Sequence, residues 1–218
     1  MRFQSFFLTE YLTSHGFIVL APDHVGNTYA DNDEDRKPEL IIRRPHDLSD
    51  SFDWLLEQDE FQDCIDPDAG FAVIGHSFGG YTALSIAGAF VDTDLTAAFC
   101  DEFNAGWLCE HVANIAVEQG DGVHDQSDDR VWASIPMAPA ALETLLGGIG
   151  SITLPTLVLG GEYDTLTPID PVVRPIYDAL TQGNKNLAII EKSGHYTFSN
   201  ACDIVRAYPD CEDDHIAL

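Results

Sequence analysis

Residues 71–80 read Phe71-Ala72-Val73-Ile74-Gly75-His76-Ser77-Phe78-Gly79-Gly80, and Tyr81-Thr82-Ala83-Leu84-Ser85-Ile86-Ala87 follows. The first four residues are an apolar run of strand length, and the last seven read as a helix. Between them stands Gly-x-Ser-x-Gly. On a strand-to-helix turn this order has a physical purpose. A serine hydroxyl is a poor nucleophile unless it is held out from the chain and deprotonated. The flanking glycines let the backbone turn sharply, so Ser77 stands at the strand tip with no side chain over it. N–H groups at the start of the helix point to where an oxyanion would form. The pattern alone can arise as a glycine-rich turn. The strand before it and the helix after it make the catalytic reading the stronger one.

A nucleophilic serine needs a histidine base and a carboxylate to orient that base. On a strand-turn-helix elbow they follow in the order serine, acid, histidine. Thr156-Leu157-Val158-Leu159-Gly160-Gly161 reads as a strand, with Asp164 just beyond it. Leu187-Ala188-Ile189-Ile190 reads as another, followed by Ser193-Gly194-His195. Asp164 and His195 therefore sit past the carboxyl ends of strands, where sites gather in open α/β sheets. Asp164 has a plainer reading as a turn cap before Pro168, and Glu162 and Asp170 are competing acids. Among eight histidines, His195 is singled out by its strand-glycine-histidine setting. His76 is expected to point away from Ser77 and to be structural. His24 and His46 are weaker candidates for a polar contact near the site.

Other stretches carry a family likeness. Ser14-His15-Gly16-Phe17-Ile18-Val19 with Asp23-His24, the elbow itself, and Arg43-Arg44-Pro45-His46-Asp47-Leu48 before Phe52-Asp53-Trp54-Leu55 are its motifs. Together they resemble the serine α/β-hydrolases of the platelet-activating-factor acetylhydrolase and dienelactone-hydrolase-like group. Bacterial polyester hydrolases and small esterases are relatives. The resemblance runs from Met1 to about Asn200. It implies an α/β-hydrolase fold, mostly parallel sheet with helices on both faces. It also implies hydrolysis of carboxylic esters without metal or organic cofactor, with the Phe78 N–H as an oxyanion donor. Dienelactone hydrolases proper use a cysteine where this chain has Ser77, so their reaction is not implied.

Residues 16–21 match the family's fourth strand, 71–74 the fifth and 131–135 the sixth. The strands before Asp164 and His195 match the last two. Nothing matches the first three, because Met1-Arg2-Phe3-Gln4-Ser5 falls within the helix after the third. The expectation is an N-terminally truncated sheet, with strands four to eight present. In the family the third strand lies between the fourth and fifth, and its loop supplies a second oxyanion N–H. One such donor is typically worth about 10²–10³ in turnover. A serine carboxylesterase for short-chain esters is the reading favoured by the ordered triad. A catalytically impaired fragment acting as a binding module is the alternative, and a lipase-like phospholipid or polyester hydrolase a further one.

At 218 residues with 45% hydrophobic content, the chain is read as one α/β domain, 1–218, with an acidic insert at about 92–130. Lys and Arg number 10 against 37 Asp and Glu, a formal charge of −27. That charge repels nucleic acid and anionic membranes, and its plain explanation is solubility. Asp31-Asn32-Asp33-Glu34-Asp35 lacks the twelve-residue ligand loop of a calcium site. No Cys/His cluster has metal spacing, and no apolar run is long enough to span a bilayer. Homo-oligomerisation is open, because sheet near the missing strands is available to pair.

The remaining elements are read as a helix over 1–15, a strand over 16–22 and an acidic loop over 23–40. Helices are expected over 44–60, beginning near Pro45, and over 79–90. Trp107 on the insert is a candidate wall for a substrate pocket. Met137 and Trp132 are candidates for acyl contacts, since Pro136-Met137-Ala138-Pro139 follows a strand at the site edge. Cys100 and Cys109 are close enough for a local disulfide, as are Cys202 and Cys211. Exported members of the family often carry such tail bridges. Two bridges would imply a secreted or periplasmic protein, their absence a cytoplasmic one. Cys64 is left over, read as a buried thiol.

Overall fold

The computed structural model describes the chain apart from residues 1, 29, 62, 104–108, 110, 112–113, 116–118 and 205–218. In chain order the strands are β1 (Phe71–His76), β2 (Val91–Asp92), β3 (Val123–His124), β4 (Val131–Met137), β5 (Thr156–Gly161) and β6 (Lys185–Ile190). The α-helices are α1 (Phe6–Ser14), α2 (Lys37–Leu56), α3 (Phe78–Ile86), α4 (Thr93–Phe103), α5 (Leu142–Leu145), α6 (Arg174–Ala179) and α7 (Ala201–Ile204). β1, β4, β5 and β6 form a parallel sheet in that order. His76 lies opposite Met137, Met137 opposite Leu159, and Gly161 opposite Ile190. All four carboxyl ends therefore share one edge.

The crossovers all step the same way along the sheet. Right-handed connections then put α3, α5 and α6 on one face. The larger core lies there, built on Val73, Leu84, Ile86, Val158, Ile176 and Leu180. Neighbouring strand residues point the other way. Ile74, Ile135, Met137 and Leu159 meet Phe198 and the α1 residue Leu8 in a smaller cluster.

Three expectations are corrected. Residues 16–22 do not form a strand. Phe17, Ile18 and Leu20 are exposed, and the segment has no ladder partner among the described residues. A strand is stable only when its N–H and C=O groups find a neighbour. The sheet thus carries the strands matched to the family's fifth to eighth, and not the fourth.

The second correction concerns α2, which begins at Lys37 and runs through Pro45. Proline in a helix interior removes the bond to the carbonyl four residues back, here that of Ile41. That carbonyl instead accepts the Tyr81 hydroxyl of α3 at 2.7 Å. Pro38 occupies the first turn, where a missing N–H costs nothing. Third, Cys64 is an exposed free thiol rather than a buried one.

In the insert, β2 and β3 pair antiparallel, and Cys100 on α4 is bonded to Cys109. Cys202 is also disulfide-bonded, and Cys211 lies outside the described residues.

Candidate active site

Ser77 follows β1 directly and is the residue before α3. Its backbone has φ 57° and ψ −117°, a conformation costly for any residue with a Cβ. The fold over-determines it. The Ser77 N–H donates to the Met137 carbonyl at 2.9 Å, and the Ser77 carbonyl accepts from Gly80, Tyr81 and Ala140. Gly75 is obligatory, because a Cβ there would lie 2.0 Å from the Gly79 carbonyl oxygen. Gly80 allows the start of α3 to pass close to Pro139.

Asp164 lies in the turn after β5, and His195 opens the short helix after β6. The structure brings them together, with His195 Nδ1 2.8 Å from Asp164 Oδ2. Both are buried. Asp164 satisfies its turn-capping and its orienting reading at once. Its Oδ1 accepts the Leu166 and Thr167 N–H groups at 2.9 and 2.7 Å, leaving Oδ2 to His195 and to the Thr167 hydroxyl at 2.7 Å. Burial alone would raise the Asp164 pKa, but the bonds from His195 and Thr167 outweigh it and hold the carboxyl below its usual range. The group is an anion at neutral pH, suited to stabilise an imidazolium.

The loops that carry Asp164 and His195 are also stitched through the backbone. Tyr163 N–H donates to the Ser193 carbonyl at 2.8 Å, and a Cβ on Gly161 would collide with that carbonyl. Glu162 is taken up by the Lys192 N–H and Asp170 by Arg174, so neither competing acid serves His195.

Phe78 is the first residue of α3, and helix N-terminal N–H groups lack intrahelical acceptors. Its ring is held between Tyr81, at 5.4 Å, and the Arg44 guanidinium, at 4.5 Å. Arg44 is buried and donates to Thr82 and Asn27. Burial lowers its pKa only to about 10, so a cation sits behind the start of α3. His76 is buried beside His195, and its ring is neutral, its pKa lowered to about 3 by burial and then by His195.

The three expected substrate contacts fare differently. Met137 is buried in the smaller core cluster, and what it offers the elbow is its carbonyl, not its side chain. Trp132 is exposed at the amino end of β4. Five residues of strand, about 16 Å at 3.3 Å per residue, separate it from the edge that carries Ser77. Trp107 lies outside the described residues. His24 pairs with Asp47 at 2.7 Å, and His46 is exposed on α2. Neither bonds the three site residues among the described contacts. A shallow cavity of about 360 Å³ beside Leu20, Asp23, Asp47 and Trp54 is separate from the site.

Thr167, Gln4 and Arg44 escaped the sequence reading. Thr167 had a signal in Asp-x-x-Thr, the pattern of a side-chain-capped turn. Gln4 had none, being far from its partners in the chain.

The chain is similar to several known proteins. The profile of the PETase family, described as PET hydrolase-like, matches residues 113–209, a stretch holding Asp164 and His195. Cutinase est2 of Thermobifida alba is 26% identical over 173 residues, which are 79% of this chain and 41% of that protein. Cutinase 1 of Thermobifida cellulosilytica is 24% identical over 173 residues, covering 79% of this chain and 47% of its own. The chain thus spans less than half the length of these curated relatives. A solved structure, a predicted CIB-like hydrolase from Thermoplasma acidophilum, superposes with a TM-score of 0.53 at 19% identity, covering 91% of this chain and 73% of that one. The fold is that of an α/β-hydrolase.

Proposed function

We propose that the chain is a serine hydrolase of carboxylic esters. The observation that carries this reading is the buried Asp164–His195 pair at 2.8 Å, set on the same sheet edge as the strained Ser77 elbow. With Nδ1 engaged by Asp164, Nε2 of His195 is the nitrogen left to take the Ser77 proton. Ser77 Oγ bonds to the ester carbonyl carbon, and the Phe78 N–H donates to the resulting oxyanion. The carbon–alkoxy bond then breaks as His195 returns its proton to the leaving alcohol. Water, deprotonated by His195, releases the acid from the acyl-enzyme.

Short acyl esters suit the reading taken from the sequence. The cutinase and PET hydrolase-like matches support a second one, in which the ester belongs to a polyester. The Cys100–Cys109 bridge favours an oxidising compartment for either.

The test is hydrolysis of p-nitrophenyl butyrate by the purified chain and by Ser77→Ala. Loss of a nucleophile that acts in a triad removes on the order of 10⁴–10⁶ in kcat. Equal turnover by parent and variant would exclude the mechanism. Release of soluble acid from a polyester film, compared with the small ester, then ranks the two substrate classes.

A further inference from the structure

The amino-terminal segment reaches the base of the proposed reaction. Gln4 Nε2 lies 2.7 Å from His76 Nδ1, and His76 Nε2 lies 2.8 Å from the His195 carbonyl oxygen. An amide nitrogen only donates and a carbonyl only accepts. The two contacts are therefore satisfied together by one tautomer of His76, neutral with its proton on Nε2. Gln4 selects that tautomer, and His76 then donates to the backbone of His195. The two imidazoles also touch, tilted at 49° with centroids 4.6 Å apart. His76 is buried, and Tyr196 and Phe198 pack around it.

The same segment grips the loop after His195 at three more points. The Gln4 carbonyl accepts the Asn200 N–H at 2.5 Å. The Ser5 hydroxyl donates to the Phe198 carbonyl at 3.0 Å, and the Phe7 N–H donates to Asn200 Oδ1 at 3.3 Å. Asp164 and Thr167 hold the His195 ring from one end of the imidazole. His76 holds its backbone and packs against the ring at a tilt.

We infer that Gln4 and His76 form a positioning couple for His195, joining residues 72 apart in the chain to aim the base. This rests on the serine-hydrolase reading for its kinetic consequence only. The couple touches no reacting atom and acts through the geometry of His195. Displacement of a base by a fraction of its hydrogen-bond length weakens proton transfer while leaving ester binding alone.

The experiment compares the full chain with Gln4→Leu, His76→Phe and His76→Gln. Phenylalanine keeps a ring and loses both hydrogen bonds. Glutamine retains a donor for the His195 carbonyl and an acceptor for Gln4. Two quantities are read, the solvent exchange of the downfield His195 Nδ1–H proton by NMR, and kcat and KM for p-nitrophenyl butyrate. Gln4→Leu and His76→Phe are expected to lower kcat about tenfold to a hundredfold with KM changed less than about twofold. Their Nδ1–H proton should exchange about tenfold faster or more, and His76→Gln should recover most of both losses. Gln4 is half-buried, so its variant keeps the test alive if His76→Phe does not fold. Unchanged exchange and unchanged kcat in Gln4→Leu overturn the inference. A parent chain with no Ser77-dependent turnover sinks the esterase reading instead, and the exchange rates still decide the couple.

Discussion

Phe71-Ala72-Val73-Ile74 and Phe17-Ile18-Val19-Leu20 are near twins as sequence, yet the first is the strand that leads into the Ser77 elbow and the second is exposed coil. The difference lies in their neighbours. β1 pairs along its whole length with β4 and packs Val73 into the larger core. Residues 16–22 have no ladder among the described residues, and their apolar side chains stay in water. β-propensity is a preference for a pleated, half-buried surface and not for an extended backbone by itself. An apolar run becomes a strand when another strand offers it an edge.

The contrast can be broken by substitution in either region. Gly75→Ala should be the most damaging, because its Cβ meets the Gly79 backbone at 2.0 Å. A collision that only backbone movement can relieve is expected to cost about 3 kcal/mol or more. Gly16→Ala has open space and only its φ of +88° to resist it, for a cost of about 1 kcal/mol. Urea denaturation of the two variants side by side reads this ratio. Equal losses would mean the elbow is less constrained than its geometry implies.

Acid should weaken the elbow region through His76. In the unfolded chain this histidine binds a proton near pH 6.5, whereas in the fold its pKa is lowered to about 3. Folding stability is therefore full above pH 6.5 and falls as the pH drops through that window. The slope contributed by this group is up to about 1.4 kcal/mol per pH unit. Chemical denaturation at pH 7.5, 6 and 5 on the parent and on His76→Gln isolates it, because the other titrations cancel in the difference. Parallel stability curves for the two proteins would remove His76 as the cause.

Tyr81→Phe leaves the Ile41 carbonyl, freed by Pro45, without its donor. An unsatisfied buried carbonyl costs about 1–3 kcal/mol. A second change, Pro45→Ala, restores the helical N–H and should recover part of the loss, so a double-mutant cycle exposes the coupling. Two independent, additive losses would show that the hydroxyl does not stand in for the missing amide.

The smallest effect is expected in the exposed segment. Phe17→Ser and Ile18→Thr should change stability by less than about 0.5 kcal/mol, against the 2–5 kcal/mol typical of truncating a buried residue such as Ile176 to alanine. A large loss from Phe17→Ser would mean that residues 16–22 are covered in the working protein.

The legible part of this protein was local. Strand, Gly-x-Ser-x-Gly and helix lie within 17 residues (71–87). Steric needs at the turn force glycine at Gly75, so the signal and its cause occupy the same few positions. Asp164 and His195 stood out because each lies a few residues past the end of an apolar strand. The order β1, β4, β5, β6 agrees with the tendency of sequential strands to lie side by side. The Met137 and Trp132 contacts were not readable in the same way. Adjacency to a strand end does not say which way a side chain points, and Met137 points into the core.

Sequence alone thus determined the elbow, the placing of Asp164 and His195 past strand ends, and the class of sheet, since each depends on backbone sterics or on periodicity within one element. The tertiary structure decided what depends on a distant partner. It left residues 16–22 without an edge among the described residues, carried α2 through Pro45 because Tyr81 supplies a hydrogen, and brought Gln4 to His76. A hydrogen bond between groups dozens of residues apart leaves no local pattern, because its energy is realised only after the fold has brought the two ends together.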